Sequence, residues 1–268
     1  MIVLTAELVL GPARSIRRAT IIWTVALAVL VAATVSVWPA FKSGSGVSRA
    51  IDQLPQGVVQ AFGLEGFGTP AGFLRGNLYA FFVPLLLVGM AIYFAGSLTA
   101  GEEDAGRLEL VLTQPVARRA VFAGRAAAAL IGLVVVAVVT ALVQYGSDAQ
   151  VNLSIGTARL GATLALTGLL ALFHGCLALA VAGLRSRPSL VLGSGFFVAI
   201  AGMVVALLFP LSAALKPLAG ISPWNWAFGG GPLVNATAPW RYLALGAPAV
   251  AMALFGVWAF GRRDIRAA

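Results

Sequence analysis

The residues best able to do chemistry lie in one polar stretch, Gly101 to Arg125, which reads GEEDAGRLELVLTQPVARRAVFAGR. It opens with three consecutive acidic residues: Glu102, Glu103 and Asp104. Carboxylates are favoured at the positive, N-terminal end of a helix, so this triplet predicts the start of a short helix. Together with the basic pair at 118–119, the triplet is also the only set that an enzyme acting on lipid at the membrane surface could use.

The residues that follow the acidic triplet predict an amphipathic helix. Leu108 and Leu112, with Val111 beside them, form an apolar patch at i, i+4 spacing. Pro115 is expected to end the helix, and the basic pair at 118–119 marks the return of the chain to the membrane. Two interpretations stay open. In one, two membrane-spanning helices hold this short helix at the cytoplasmic surface, where it transmits movement to or from a soluble partner. In the other, the stretch is an ordinary solvated loop whose acidic residues only cap a helix.

The rest of the chain lacks the common catalytic and cofactor-binding motifs. It has no G-x-x-x-x-G-K-[ST] phosphate-binding loop, so we do not expect it to bind or hydrolyse ATP itself. G-x-S-x-G and H-E-x-x-H motifs do not occur either. His174, the single histidine, and Cys176, the single cysteine, are two positions apart and would not share a helix face. We therefore predict no catalytic residue, metal or cofactor in this chain.

The composition indicates a membrane protein. Of the 268 residues, 60% are hydrophobic and only 10% are charged, whereas soluble domains carry about 25% charged residues. The net charge of +9 does not indicate a nucleic-acid partner, because the basic residues form small clusters between apolar runs and no single basic stripe. No carboxylate lies clearly within an apolar run, which disfavours transport driven by an ion gradient.

Six apolar windows are long enough to cross a bilayer, which requires roughly 20 residues. They cover residues 19–41, 78–99, 121–145, 160–184, 190–211 and 242–261. The first window could instead be a signal peptide, but its apolar run is longer than a signal core. We predict an all-α integral membrane protein with six transmembrane helices in a single transmembrane domain, residues 1–268.

The distribution of lysine and arginine predicts the orientation, because cytoplasmic loops are enriched in both. Twelve basic residues lie near one set of span ends: Arg14, Arg17, Arg18, Arg107, Arg118, Arg119, Arg125, Arg185, Arg187, Arg262, Arg263 and Arg266. Six lie near the other set: Lys42, Arg49, Arg75, Arg159, Lys216 and Arg241. Both termini and the loop 100–120 are therefore expected in the cytoplasm. The composition, rich in Ala, Gly and Arg, indicates a bacterial cell membrane.

Two longer segments are expected on the outer side. Residues 42–77 are Gly-rich and should form short helices or a loop. Residues 212–240 combine prolines, glycines and tryptophans, which exclude a long helix and favour interfacial depth. A broken, re-entrant segment and an interfacial loop are equal alternatives there. At the other end of the chain, Met1 to Leu10 is expected to form a short surface helix that Gly11 and Pro12 interrupt.

The polar stretch resembles the cytoplasmic loop of ABC-2 type permeases, the membrane subunits of ATP-binding-cassette transporters. Members of this family typically show an acidic residue after the second span, then Gly, Leu-Glu-x-Leu-Leu-Ser/Thr-x-Pro, a hydrophobic residue and a basic residue. The matching positions are Glu102 or Glu103, Gly106, Leu108, Glu109, Leu112, Thr113, Pro115, Val116 and Arg118. Val111, Ala117 and Arg125 depart mildly from the family pattern. The six-span layout extends the resemblance over nearly the whole chain.

The resemblance implies a coupling helix that docks on a separate ATP-binding subunit. The residues it assigns to ATPase coupling are Glu102, Glu103, Asp104, Gly106, Leu108, Glu109, Leu112, Pro115 and Arg118. It also implies two permease halves, identical or different, and two copies of the ATP-binding subunit, which would hold ATP and Mg. Family members export mostly amphiphilic compounds, and spans lined by aliphatic and Phe side chains without fixed charges suit an apolar or amphiphilic cargo.

Two other functions remain open at this point. In one, an assembly of the same type transmits a mechanical signal without moving a solute, with segment 42–77 as its docking surface. In the other, less favoured, the chain is an intramembrane enzyme that modifies lipid.

Overall fold

A computed structural model describes residues 2–43, 46, 50–51, 53–61 and 63–263, and within these residues the chain is helical without a β-strand. In chain order the α-helices are α1 (Ile2–Ser15), α2 (Arg17–Ser36), α3 (Trp38–Ser43), α4 (Gln56–Ala61), α5 (Pro70–Leu74), α6 (Phe82–Leu98), α7 (Ala100–Asp104), α8 (Arg107–Leu112), α9 (Arg118–Val151), α10 (Thr157–Leu184), α11 (Pro188–Leu208), α12 (Pro223–Phe228) and α13 (Trp240–Phe260). A π-helical turn (Arg75–Tyr79) leads from α5 towards α6. Two 3₁₀ turns (Phe209–Leu211 and Lys216–Ile221) follow α11.

Six helical runs of the described residues are long and apolar enough to cross a membrane, as predicted. They are Arg17–Phe41, Pro70–Asp104, Arg118–Val151, Thr157–Leu184, Pro188–Leu211 and Trp240–Phe260. Helices α6 and α10 are the most buried of these runs, whereas α2 and α11 bury only 17% of their most apolar window. The all-α class with six spanning helices is thus confirmed. Of the residues used for the orientation, Arg49 and Arg266 lie outside the described residues.

Two of the spanning runs extend well beyond the predicted apolar windows. The second begins at Pro70, because the Thr69 hydroxyl oxygen accepts a hydrogen bond from the Gly72 N–H at 3.1 Å and proline suits the first helical position. The third continues past Asp148, a carboxylate expected outside the spans, and ends before Asn152, whose φ is 50°. Hydropathy windows do not predict these helix ends, because capping residues and backbone geometry determine where a helix begins and ends.

The predicted break of the N-terminal helix at Gly11 and Pro12 is wrong, because α1 runs through both residues. Pro12 has no N–H, so the Leu8 carbonyl loses its usual helical donor. This carbonyl oxygen faces α9 and lies 2.5 Å from the place that a Cβ at Gly124 would occupy. Packing of α1 against a glycine of α9 therefore accommodates a proline that local preference would exclude.

Glycines also bring α10 and α13 together, backbone against backbone. A Cβ at Gly183 would lie 2.3 Å from the Gly256 carbonyl oxygen, and a Cβ at Gly256 would lie 2.8 Å from the Leu179 carbonyl oxygen. Larger residues at either position would force the two helices apart. The last span therefore packs closely on α10, one of the two most buried spanning helices.

Candidate functional site

The polar stretch forms a pair of short helices, here called the acidic hairpin (residues 99–117). Thr99, with φ −116° and ψ −84°, interrupts the run after α6, and α7 continues beyond it. Gly106, with φ +68°, ends α7 and starts a new direction for α8. The single short helix predicted over this stretch is therefore wrong. The structure divides it in two, because Gly106 adopts the left-handed conformation that stops a helix.

Glu102 bridges two arginines at the base of the acidic hairpin. Its Oε1 accepts hydrogen bonds from Arg107 Nε at 3.0 Å and from Arg107 Nη2 at 2.7 Å. Its Oε2 lies 3.5 Å from Arg125 Nη1 on α9, and the same nitrogen donates to the Leu98 carbonyl at 2.8 Å. The Arg125 side chain is only 6% exposed, whereas that of Arg107 is 59% exposed. Hydrogen bonds and charge from Glu102 raise the pKa of the Arg107 guanidinium above its ordinary value.

Glu103 connects the acidic hairpin to the end of the last span. Its carboxylate accepts a hydrogen bond from Arg263, which follows α13 by three residues. The Arg263 guanidinium lies 5.2 Å from the centre of the Phe260 ring, and its carbonyl accepts a hydrogen bond from Arg118 at 3.1 Å. Phe260 in turn stacks on Phe122 of α9 with ring centres 4.8 Å apart. The start of α9, the end of α13 and the hairpin therefore form one connected unit.

The apolar residues of α8 divide between an inner and an outer face. Leu108 is 2% exposed and belongs to the protein core, while Val111 and Leu112 are half-buried against it. Leu110 projects away from the body and is 71% exposed. The hairpin thus keeps one leucine as an anchor and presents another to its surroundings.

The predicted coupling residues lie in the acidic hairpin, except Arg118, which begins α9. Four of them are exposed: Asp104, Gly106, Pro115 and Arg118. Glu102 and Glu103 face arginines of the same chain with side chains only 18% and 16% exposed. The side chain of Glu109 lies outside the described part of the structure.

Sequence reasoning missed three functional candidates at this site. Leu110 was not distinguished from its apolar neighbours, because helical spacing alone does not say which leucine faces outwards. Arg125 was noted only for the orientation and as a mild departure from the family pattern, although it is the partner of Glu102. Arg263 was counted only for orientation, since its contact with Glu103 spans 160 positions and leaves no local signal.

A cavity of about 680 Å³ opens at the opposite end of the spanning helices. Part of its wall comes from the segment 212–240, which forms two 3₁₀ turns, α12 and loops, and contains no long helix. Arg241, in the first turn of α13, holds this wall in place by donating hydrogen bonds to the carbonyls of Asn225 at 2.9 Å and Trp226 at 2.8 Å, both in α12. Asn235 adds a hydrogen bond to the Gly230 carbonyl at 2.9 Å.

The cavity combines apolar and charged side chains. Met203, Ala206 and Leu207 of α11 supply an apolar side, and Trp224 of α12 supplies an aromatic one. Arg75, which pairs with Glu65 at 2.7 Å, and Lys216 also line it. The expectation of a cavity without fixed charges therefore does not describe this one. Among the described residues, no cluster of three or more His, Cys, Asp or Glu side chains could hold a metal ion.

Comparison with known proteins gives one family. Residues 12–261 match the sequence profile described as "Multidrug efflux system permease Rv1217c, C-terminal domain". The matched range contains all six spanning runs and the acidic hairpin. A search of curated proteins finds no match. The chain therefore belongs to the family of the C-terminal domain of the multidrug efflux permease Rv1217c, and it is a multi-pass permease of the efflux type.

Proposed function

We propose that this chain is the membrane-spanning subunit of an ATP-binding-cassette exporter, in which the acidic hairpin couples ATP hydrolysis by a separate subunit to export of an amphiphile. The attachment of the hairpin carries the proposal. Helix α7 continues the run of α6, Glu102 contacts Arg125 of α9, and Glu103 contacts Arg263 after α13. A displacement of the hairpin would therefore act on three spanning helices at once.

The exposed side of the hairpin suits contact with a soluble subunit. Leu110 is a large apolar side chain at the surface, and the exposed Asp104 and Pro115 flank α8. An apolar side chain on a short, anchored helix can fill a groove of a partner, where a few such residues carry most of the binding energy. In this proposal Leu110 makes the contact, while Glu102 and Glu103 position the hairpin.

The rest of the assembly follows from the resemblance to ABC-2 permeases. Two copies of the ATP-binding subunit would hold ATP and Mg, and each would dock on one of two permease halves, identical or different. The hairpin and both termini would face the cytoplasm of a bacterial cell. The lightly buried α2 and α11 offer apolar surface to lipid or to the second half.

Replacement of Leu110 tests the proposal. The full chain is co-expressed with the host's candidate ATP-binding subunits, beginning with any encoded beside it, and co-purification and ATPase activity are measured. We expect Leu110→Ser to reduce both, because it removes the apolar contact without touching the ion pairs. Leu218, which is 48% exposed at the opposite end, provides the matched control Leu218→Ser. Full assembly and activity of Leu110→Ser, or equal losses in both variants, would contradict the proposal.

Reconstitution separates export from the alternatives. Liposomes that contain only the permease and its ATP-binding subunit should move an amphiphile in an ATP-dependent manner. ATP hydrolysis without movement of any tested amphiphile would favour an assembly that transmits a mechanical signal. Chemically altered lipid in the absence of the ATP-binding subunit would favour an intramembrane enzyme.

A further inference from the structure

The cavity at the end opposite the acidic hairpin has the size and lining of a small-molecule site. Its volume of about 680 Å³ falls within the range of ligand pockets, about 300–1,000 Å³. One side is apolar and belongs to a spanning helix, through Met203 and Leu207 of α11. The other side is the cross-braced segment of α12 and the loops around it. A molecule in this cavity would contact both a spanning helix and the outer wall.

The charges around the cavity do not cancel. Arg75 is neutralised by Glu65, whose carboxylate lies 2.7 Å away. Lys216 is exposed at the rim, and within the described residues no carboxylate lies within ion-pair distance of its ammonium group. One positive charge therefore remains free to meet a ligand, which favours an anionic group over a cationic one.

The cavity wall also contains a buried donor that lacks a partner. Trp224 is 3% exposed and lines the cavity, and its indole N–H finds no hydrogen-bond acceptor among the described residues. A buried donor without an acceptor is costly, and most such groups in folded proteins are satisfied. An acceptor oxygen of a bound molecule would satisfy it.

We propose that this cavity binds an anionic amphiphile. The acidic headgroup would lie at Lys216, an acceptor oxygen would receive the Trp224 N–H, and the hydrocarbon chain would lie along Met203 and Leu207 of α11. This inference names a substrate class for the proposed function. The bound amphiphile is an exported substrate only if the chain is the exporter subunit proposed above. Binding itself needs no ATP-binding subunit, so the two proposals can fail separately.

Equilibrium binding with three matched probes tests the site. The full chain is placed in nanodiscs of phosphatidylcholine, without any ATP-binding subunit, and empty nanodiscs give the background. The probes are dodecyl phosphate, dodecyltrimethylammonium and inorganic phosphate. We expect saturable binding of dodecyl phosphate only, because the cavity offers one unpaired positive charge and an apolar wall.

Variants of the cavity make the test specific. Lys216→Gln should weaken dodecyl phosphate binding about tenfold, since a hydrogen bond between two charged groups is among the strong ones. Trp224→Phe, which removes the N–H and keeps an aromatic ring, should also weaken it about tenfold, because every oxygen of dodecyl phosphate belongs to its ionised headgroup. Arg159 is an exposed cation at the same end that does not line the cavity, so Arg159→Gln is the matched control and should bind as the parent chain does.

Several results would overturn the proposal. They are binding no greater than in empty nanodiscs, equal binding of the ammonium probe, and equal effects of Lys216→Gln and Arg159→Gln. Displacement of dodecyl phosphate by inorganic phosphate at similar concentration would also overturn it, because the site would then recognise a free anion and not an amphiphile. The thermal midpoint of each variant shows whether the fold is retained, and the mild Trp224→Phe change supplies an independent reading of the site if Lys216→Gln unfolds.

Discussion

The substitution Glu102→Gln removes one negative charge at the base of the acidic hairpin and preserves the size of the side chain. Glu102 faces two cations of contrasting exposure: Arg125 is 6% exposed and Arg107 is 59% exposed. We expect the variant to be destabilised mainly through Arg125. This buried cation would keep the Leu98 carbonyl as an acceptor but lose its counter-charge.

The expected magnitude follows from the distance and the burial. At 3.5 Å and an effective dielectric constant of about 20, the Arg125–Glu102 attraction is about 5 kcal/mol. Glu102→Gln recovers the desolvation cost of the Glu102 carboxylate, which offsets part of the lost attraction, but it leaves Arg125 buried without a counter-charge. A net loss of about 2 kcal/mol of unfolding free energy is therefore expected for Glu102→Gln. The Arg107 pair contributes little, because water screens that exposed guanidinium.

Thermal unfolding of the purified chain in detergent tests whether the Arg125 pair contributes more to stability than the Arg107 pair. Glu102→Gln should lower the thermal midpoint by several degrees, since about 1 kcal/mol corresponds to roughly 2–4 °C in a chain of this size. Arg107→Gln, the matched control on the same carboxylate, should leave the midpoint almost unchanged. Equal destabilisation by both variants would refute the reasoning. So would strict additivity of Glu102→Gln and Arg125→Gln, because the two groups should be coupled.

The remaining predictions concern the link to the last span and the packing of that span. Glu103→Arg should reduce ATP-driven transport by opposing Arg263, and the swap Glu103→Arg with Arg263→Glu should restore much of it; a double variant as inactive as the single one would exclude a role for this pair. Gly256→Ala should lower the unfolding free energy by about 1–3 kcal/mol, because the new Cβ would lie 2.8 Å from a facing carbonyl oxygen. Gly246→Ala on the same helix, whose nearest contact would be 4.0 Å away, should be neutral or stabilising, and a denaturant titration in which both variants lose equal stability would contradict this packing argument.

The composition and the spacing of apolar runs were enough to predict the six spanning helices, because a bilayer leaves a chain of this hydropathy few other structures. Helix ends were predicted less well. The helix that begins at Pro70 depends on a cap by Thr69, and α1 passes through Pro12 because it packs on Gly124. Both outcomes depend on contacts that no hydropathy window contains.

In the candidate site too, local features were predictable from the sequence and long-range contacts were not. The run of acids, the leucines and Pro115 identified the polar stretch and its helical character, because helix-starting and helix-ending residues act locally, but not its division at Gly106. Which acid meets which arginine could not be predicted. Arg263 is 160 positions from Glu103, and only the docking of α13 beside α9 brings the two together.

The sequence by itself determined that this chain is a helical membrane protein with a polar, helix-forming stretch between its second and third spans, because hydropathy and helix-ending residues act over a few positions at a time. The tertiary structure decided what the hairpin is attached to and which leucine it presents. It also decided that a charged cavity forms at the far end. Those features arise where helices distant in the chain pack together, and the positions of their side chains depend on that packing and not on their order in the sequence.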